Sequence, residues 1–165
     1  MTKPSGKTLD ILGTLARLGL AAVWLISGGV KVADLNQTYV AVSAYELLPA
    51  GAVSVVASAM PFLELALGAL LLAGLGTRLV AALSIVVLLA FIGALLQAWV
   101  RGLSIDCGCF GGGGQVAEGE TQYPLELARD TAFLLLAVWL VIRPRSLFSA
   151  DAVFDGRREQ PIETR

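Results

Sequence analysis

LVAALSIVVLLAFIGALLQAWV, residues 79–100, holds no charged side chain and is bracketed by Arg78 and Arg101. The hydrocarbon core of a bilayer is roughly 30 Å thick, and about 20 residues of α-helix cross it. A stretch of this length and purity reads as a transmembrane helix. Two more segments read the same way, at about 9–30, where Asp10 and Arg17 interrupt the apolar run, and at about 51–75. A fourth, at about 125–142, carries Glu126, Arg129 and Asp130 near its start and is free of charge only from Thr131 to Ile142. Those three charges recur at helical spacing, so they can share a face turned to the bundle interior or to the interface, away from lipid. The expected fold is all-α, an integral membrane four-helix bundle. Residues 1–8 precede the membrane domain at 9–142, and a polar tail occupies 143–165.

Composition supports that class and excludes others. The chain is 56% hydrophobic and 15% charged, with a mean hydropathy of +0.77, far from an ordinary soluble domain. A net charge of −1 without a basic run gives no nucleic-acid surface. The chain has no histidine, which removes the usual general base near neutral pH and the commonest metal ligand. Cysteine is the remaining specialist side chain.

Lysine and arginine near the membrane ends set orientation. Lys3, Lys7, Arg78, Arg143 and Arg145, with Arg157 and Arg158 beyond, mark one side, whereas the other two connections hold only Lys31 and Arg101. Both termini are therefore expected in the cytoplasm, with residues 31–50 and 101–124 on the outer face of the plasma or inner membrane. No small-x-small cleavage site precedes Gly28-Gly29-Val30-Lys31, so the first helix reads as a retained anchor. The connection 33–50, with Tyr39, Val42, Tyr45, Leu47 and Leu48 ahead of Pro49, fits a short amphipathic helix at the interface or a plain spacer. Four consecutive glycines, Gly111 to Gly114, predict a mobile segment in the second outer connection.

That second connection holds both cysteines, in Asp106-Cys107-Gly108-Cys109-Phe110-Gly111. Four readings fit the pair. A reversible disulfide across one residue would be strained and prone to exchange. Two thiolates can hold Cu(I), whereas zinc or an iron–sulfur cluster usually needs four ligands. Each cysteine can pair with another protein, or both can be inert. Asp106 opposes ionisation of Cys107, and Arg101 favours it if the loop folds back; the attacking sulfur is left open. One pair holds two electrons and has no second pair to pass them to. The redox reading therefore needs an external partner: a thioredoxin-like or other envelope thiol protein, a quinone in the bilayer, or both.

Charged residues inside the helices form a second constellation. Asp10, Gly13, Arg17, Trp24, Gly28 and Lys31 fall along one face of the first helix, and Ala57, Pro61, Glu64 and Gly68 along one face of the second. Small residues allow close approach, and an intramembrane charge requires a partner. Arg17 is expected to pair with Glu64 or with Asp130. The cluster Arg17, Lys31, Glu64, Glu126, Arg129 and Asp130 reads either as a polar clamp or as a ligand or proton site. Pro61 fits a kink beside a cavity, and Trp99 and Trp139 fit interfacial anchors.

Arg17 with Ser27-Gly28-Gly29-Val30-Lys31, Tyr45-Glu46-Leu47-Leu48-Pro49, Pro61-x-x-Glu64-x-x-x-Gly68 and the Cys-Gly-Cys-Phe-Gly loop, in that order, resemble the DoxX-like superfamily and within it the methylamine-utilisation MauE branch. The resemblance covers about residues 10–142. It implies a four-helix membrane protein of thiol–disulfide chemistry, working with a thioredoxin-like partner in the maturation of disulfide-containing envelope proteins. It further implies Cys107 and Cys109 as the redox pair and Arg17, Lys31 and Glu64 as characteristic polar positions of the bundle.

Overall fold

The computed structural model describes residues 6–117 and 119–144. Lys3 and the tail from 145 to 165, with Arg145, Arg157 and Arg158, lie outside the described residues. The chain runs α1 (Gly6–Ala33), α2 (Leu35–Ala44), α3 (Ala50–Ala73), α4 (Thr77–Val100), β1 (Ile105–Asp106), β2 (Gly114–Gln115) and α5 (Tyr123–Ile142). Helices α1, α3 and α4 are long and apolar enough to cross a membrane. At 20 residues and ~1.5 Å per residue, α5 matches the thickness of a bilayer core in length, but its first half is charged.

Local chemistry sets the breaks. Asp34 caps α2 by accepting the Gln37 N–H at 2.9 Å. Gly74 ends α3 in the left-handed region at φ 68. The Leu75 and Gly74 amides turn back to the Leu70 and Leu71 carbonyls at 3.0 and 3.1 Å, a Schellman-type stop that sends α4 back antiparallel. The 33–50 connection, open between helix and spacer on sequence grounds, is helical, and α2 buries Thr38 and Ala41.

Two helix pairings dominate the packing, α1 with α3 and α4 with α5; α1 also meets α5, whereas α3 and α4 touch only sparingly. Between them lies a core that includes Leu20, Trp24, Leu67, Leu71, Leu88 and Leu140. The indole N–H of buried Trp24 donates to Ser84 Oγ at 3.0 Å. Large apolar side chains such as Leu15, Val55, Leu79, Val86, Leu135 and Ile142 face outward, as expected where the solvent is lipid.

The faces of α1 and α3 meet as their small residues require. A Cβ on Gly28 would lie 2.8 Å from the Pro61 carbonyl oxygen, and one on Gly68 would lie 2.7 Å from Leu25 Cγ. Gly29, one residue along, has nothing within 4 Å. The antiparallel register brings Gly28 to Pro61 and Leu25 to Gly68, which puts Lys31 level with Glu64.

That register corrects the expected pairing of Arg17. Its guanidinium donates to the Leu71 and Leu72 carbonyls at 2.7 and 3.0 Å, at the C-terminal end of α3, where carbonyls have lost their helical partners and the dipole is negative. Neither Glu64 nor Asp130 pairs with it; Glu64 takes Lys31, and Asp130 takes Arg129.

Gly28→Leu or Gly68→Leu should therefore force α1 and α3 apart and lower stability by about 1–3 kcal/mol, whereas Gly29→Leu should leave it within about 0.5 kcal/mol. Thermal unfolding in detergent checks this; equal effects at Gly28 and Gly29 would contradict the register.

Candidate functional site

The short antiparallel ladder of β1 and β2, pairing Ile105 with Gln115 and Asp106 with Gly114, closes the chain between them into a compact loop. The glycine run is packed into it. Gly108 and Gly113 have φ of 68 and 93, and a Cβ on Gly113 would lie 2.7 Å from both Gly108 Cα and Ala41 Cβ. Expected as a mobile tether, the run is instead what lets two stretches of backbone lie against each other beneath α2.

Three helices hold this loop by its backbone. From α1, the Ser27 hydroxyl reaches the Cys109 carbonyl at 2.7 Å. From α2 and its end, Gln37 donates to the Gly113 carbonyl at 2.7 Å and the Tyr45 hydroxyl to the Cys107 carbonyl at 3.3 Å. From α5, Glu126 accepts the Cys107 N–H at 3.3 Å.

Ser27 also belongs to a buried polar network. Lys31 Nζ donates to Glu64 Oε1 at 2.5 Å and to Ser27 Oγ at 3.0 Å, and Ser27 Oγ lies 3.0 Å from Glu64 Oε2. Glu64 is fully buried and Lys31 nearly so. A pair this deep is costly to desolvate, and removing one partner strands the other charge at about 3–5 kcal/mol. The single Ser27 hydroxyl hydrogen serves two acceptors, so the loop carbonyl and the ion pair are tied to one atom.

The two sulfurs are free thiols, Cys107 buried and Cys109 partly exposed, and their surroundings differ. The Cys109 amide donates to Cys107 Sγ at 3.3 Å, and Arg129 Nη2 donates to it at 3.2 Å. Asp130 Oδ1 holds the Arg129 guanidinium at 3.1 Å, and the Phe110 ring lies under it with its centroid at 4.9 Å. The Cys107 thiol is lowered below its ordinary value, first by the Cys109 thiol donating to it, then against burial by Arg129. Cys109 is raised well above its ordinary value, first by that same donated hydrogen bond and then by burial. Of the two, Cys107 gives up its proton the more readily and Cys109 the less.

Two spaces flank the loop. A polar recess of about 400 Å³ is bordered by Asp106, Glu120, Gln122, Glu126 and Arg129. A cavity of about 260 Å³, mostly apolar and walled by α2, α3 and α4, reaches Cys107, Gly108 and Cys109. Asp106, Cys107 and Glu126 lie close enough together to share an ion. One sulfur with two carboxylates suits a harder ion than Cu(I), and the Arg129 charge on the same sulfur opposes any cation there.

Of the residues expected at the site, Cys107, Cys109, Lys31, Glu64, Glu126, Arg129 and Asp130 gather around the loop, while Arg17, near the middle of α1, sits apart at the C-terminal end of α3. Arg101, expected to help ionise the thiols, instead pairs with Glu46 at 2.8 Å on the surface; Arg129 is the cation at Cys107. Ser27 and Tyr45 were not singled out for roles, though both sit within the quoted motifs. Ser27 lies four residues before Lys31, and that spacing was its signal.

Comparison with known families matches residues 9–143 to the family described as Methylamine utilisation protein MauE. The chain belongs to that family, and with three membrane-competent helices it is a membrane protein. No curated protein and no solved structure matches it.

Arg129→Gln removes a hydrogen bond and a charge from Cys107, so the pH midpoint of Cys107 alkylation should move upward. Its alkylation at neutral pH should slow severalfold. Iodoacetamide labelling of the reduced protein, with the modified sulfur located by fragment mass, reads this; an unmoved midpoint would contradict the assignment of Arg129.

Proposed function

We propose that this MauE-family chain is a thiol–disulfide redox component of the cell membrane, exchanging electrons between Cys107–Cys109 and a thioredoxin-like or other envelope thiol protein. In this reading α5 crosses as the fourth span of a four-helix bundle, both termini are cytoplasmic, and the cysteine loop faces outward, in keeping with the lysine and arginine distribution. The order of motifs supports placing the branch among DoxX-like proteins. The family's description names methylamine utilisation; the proposal rests on the thiol pair and takes no substrate from that name.

The observation that carries it is the unequal environment of the two sulfurs, with Arg129 and the Cys109 amide both aimed at Cys107 Sγ. In the oxidised pair, a partner thiolate attacks the sulfur of Cys109, the residue of the two that is partly exposed. The S–S bond breaks toward Cys107, whose thiolate is the better leaving group because it is already stabilised. A second partner thiolate then attacks its own sulfur in the mixed disulfide and releases Cys109, which takes up a proton. The partner leaves as a disulfide, and both electrons stay on the pair.

A scaffold braced by a structural disulfide is less well supported. Ser27, Gln37, Tyr45 and Glu126 already hold the loop by hydrogen bonds, so a covalent brace adds little. A Cu(I)-handling site is opposed by Arg129.

Each single Cys→Ser variant, expressed in cells and trapped with acid, tests the proposal. Cys107→Ser should accumulate a mixed disulfide through Cys109, Cys109→Ser should accumulate less, and the double variant none. An impermeant maleimide on right-side-out vesicles should label the wild type only after reduction. Absence of any trapped partner in both single variants, with the protein assembled, would overturn the redox reading.

A further inference from the structure

We infer that the cleft between α3 and α4 is a quinone site, in which a lipid-dissolved quinone ring takes the two electrons of the reduced Cys107–Cys109 pair. The inference rests on the thiol–disulfide reading above and supplies its missing acceptor. Helices α3 and α4 leave Gly74 antiparallel yet touch only sparingly. The gap between them is lined by Val56 and Met60 on one side and Ala90, Phe91 and Ala94 on the other. None of these five is buried, so the cleft opens to the surroundings of the spans, where the solvent is lipid. Its inner wall is Cys107, Gly108 and Cys109. Thr38, Ala41, Val42 and Tyr45, with exposed Leu47 and Leu48, line its remaining side along α2 and the chain after it; a mostly apolar space flanked by exposed leucines suits a membrane-dissolved carrier.

Size and charge narrow the occupant further. A cavity of about 150 Å³ takes benzene, so about 260 Å³ takes a substituted ring, its tail leaving through the opening to lipid. Lys31 lines the same space. An ammonium has three N–H donors; among the described residues Lys31 spends two, on Glu64 and Ser27, and its Nζ stands 5.2 Å from the Phe91 ring centroid. The third donor is placed to meet an oxygen that gains negative charge as the ring is reduced. One S–S bond forms as the two sulfurs give up two electrons; the Cys109 S–H proton and a second proton, regained by Cys107 from water after exchange, go with them to the quinone oxygens, giving the quinol.

The full chain in lipid nanodiscs, reduced, desalted and kept anoxic, is mixed with decylubiquinone, whose fully substituted ring resists thiol addition, or with glutathione disulfide. Quinone absorbance and maleimide mass shift are followed together. The expected result is loss of two thiols per quinone consumed with decylubiquinone, alongside oxidation by glutathione disulfide. Ala94→Trp, which fills the cleft, should slow the quinone reaction about tenfold more than the glutathione reaction. Oxidation by glutathione disulfide but not by decylubiquinone overturns the quinone site and leaves the thiol–disulfide reading standing. Oxidation by neither overturns both, and equal slowing of the two reactions by Ala94→Trp removes the site from this cleft.

Discussion

The buried Lys31–Glu64 pair, closed through Ser27 onto the carbonyl of Cys109, is the constraint on which the rest of the site depends. A lysine and a glutamate this deep are tolerable only when their hydrogen-bonding capacity is spent on one another and on fixed polar groups. Meeting that demand fixes the height of α1 against α3, and small residues at Gly28 and Gly68 let the backbones come close enough for the pair to form. Because Ser27 serves both the ion pair and the loop, the packing of two spans is transmitted to the position of a sulfur. The cysteines thus sit on a loop in sequence but on a helix–helix interface in mechanical terms.

The second consequence is the asymmetry of the pair. One residue separates the cysteines, yet the fold gives them unlike surroundings: a cation and an amide at Cys107 Sγ, and at Cys109 a partly exposed residue whose thiol is held from ionising. The exchange proposed above needs an approachable sulfur and one that leaves well; the partly exposed residue and the sulfur held by a cation belong to different cysteines. Arg129 is fit for this because Asp130 and Phe110 fix its plane. The loop also separates two environments, a polar recess on one side and an apolar cleft between spans on the other.

Much of this was legible in the sequence, in a particular way. Apolar length marked the three spans, and spacing put Gly28, Lys31, Pro61, Glu64 and Gly68 on facing stripes. Spacing gives the face of a helix but not its height against a neighbour, so Arg17 was set opposite Glu64 when the antiparallel register sends it to the carbonyls ending α3. The cation at Cys107 was sought nearby, at Arg101; the fold brings Arg129 from 22 residues away. The four glycines carried a composition signal for flexibility, and only the contact of Gly113 with Gly108 and Ala41 shows that the missing side chains make room for packing. Where residues far apart in the chain had to be placed at one point, periodicity ran out and tertiary register decided.

The most direct test of the central claim, that Cys107 and Cys109 are one reversible redox couple, is a glutathione titration of the purified full chain. The protein is equilibrated across buffers from fully reduced to fully oxidised, blocked with maleimide and read by intact mass. The account predicts one transition between a doubly labelled dithiol and an unlabelled intramolecular disulfide, superimposable in both directions. Two labels across the whole range, or glutathione adducts with no intramolecular disulfide, would contradict it.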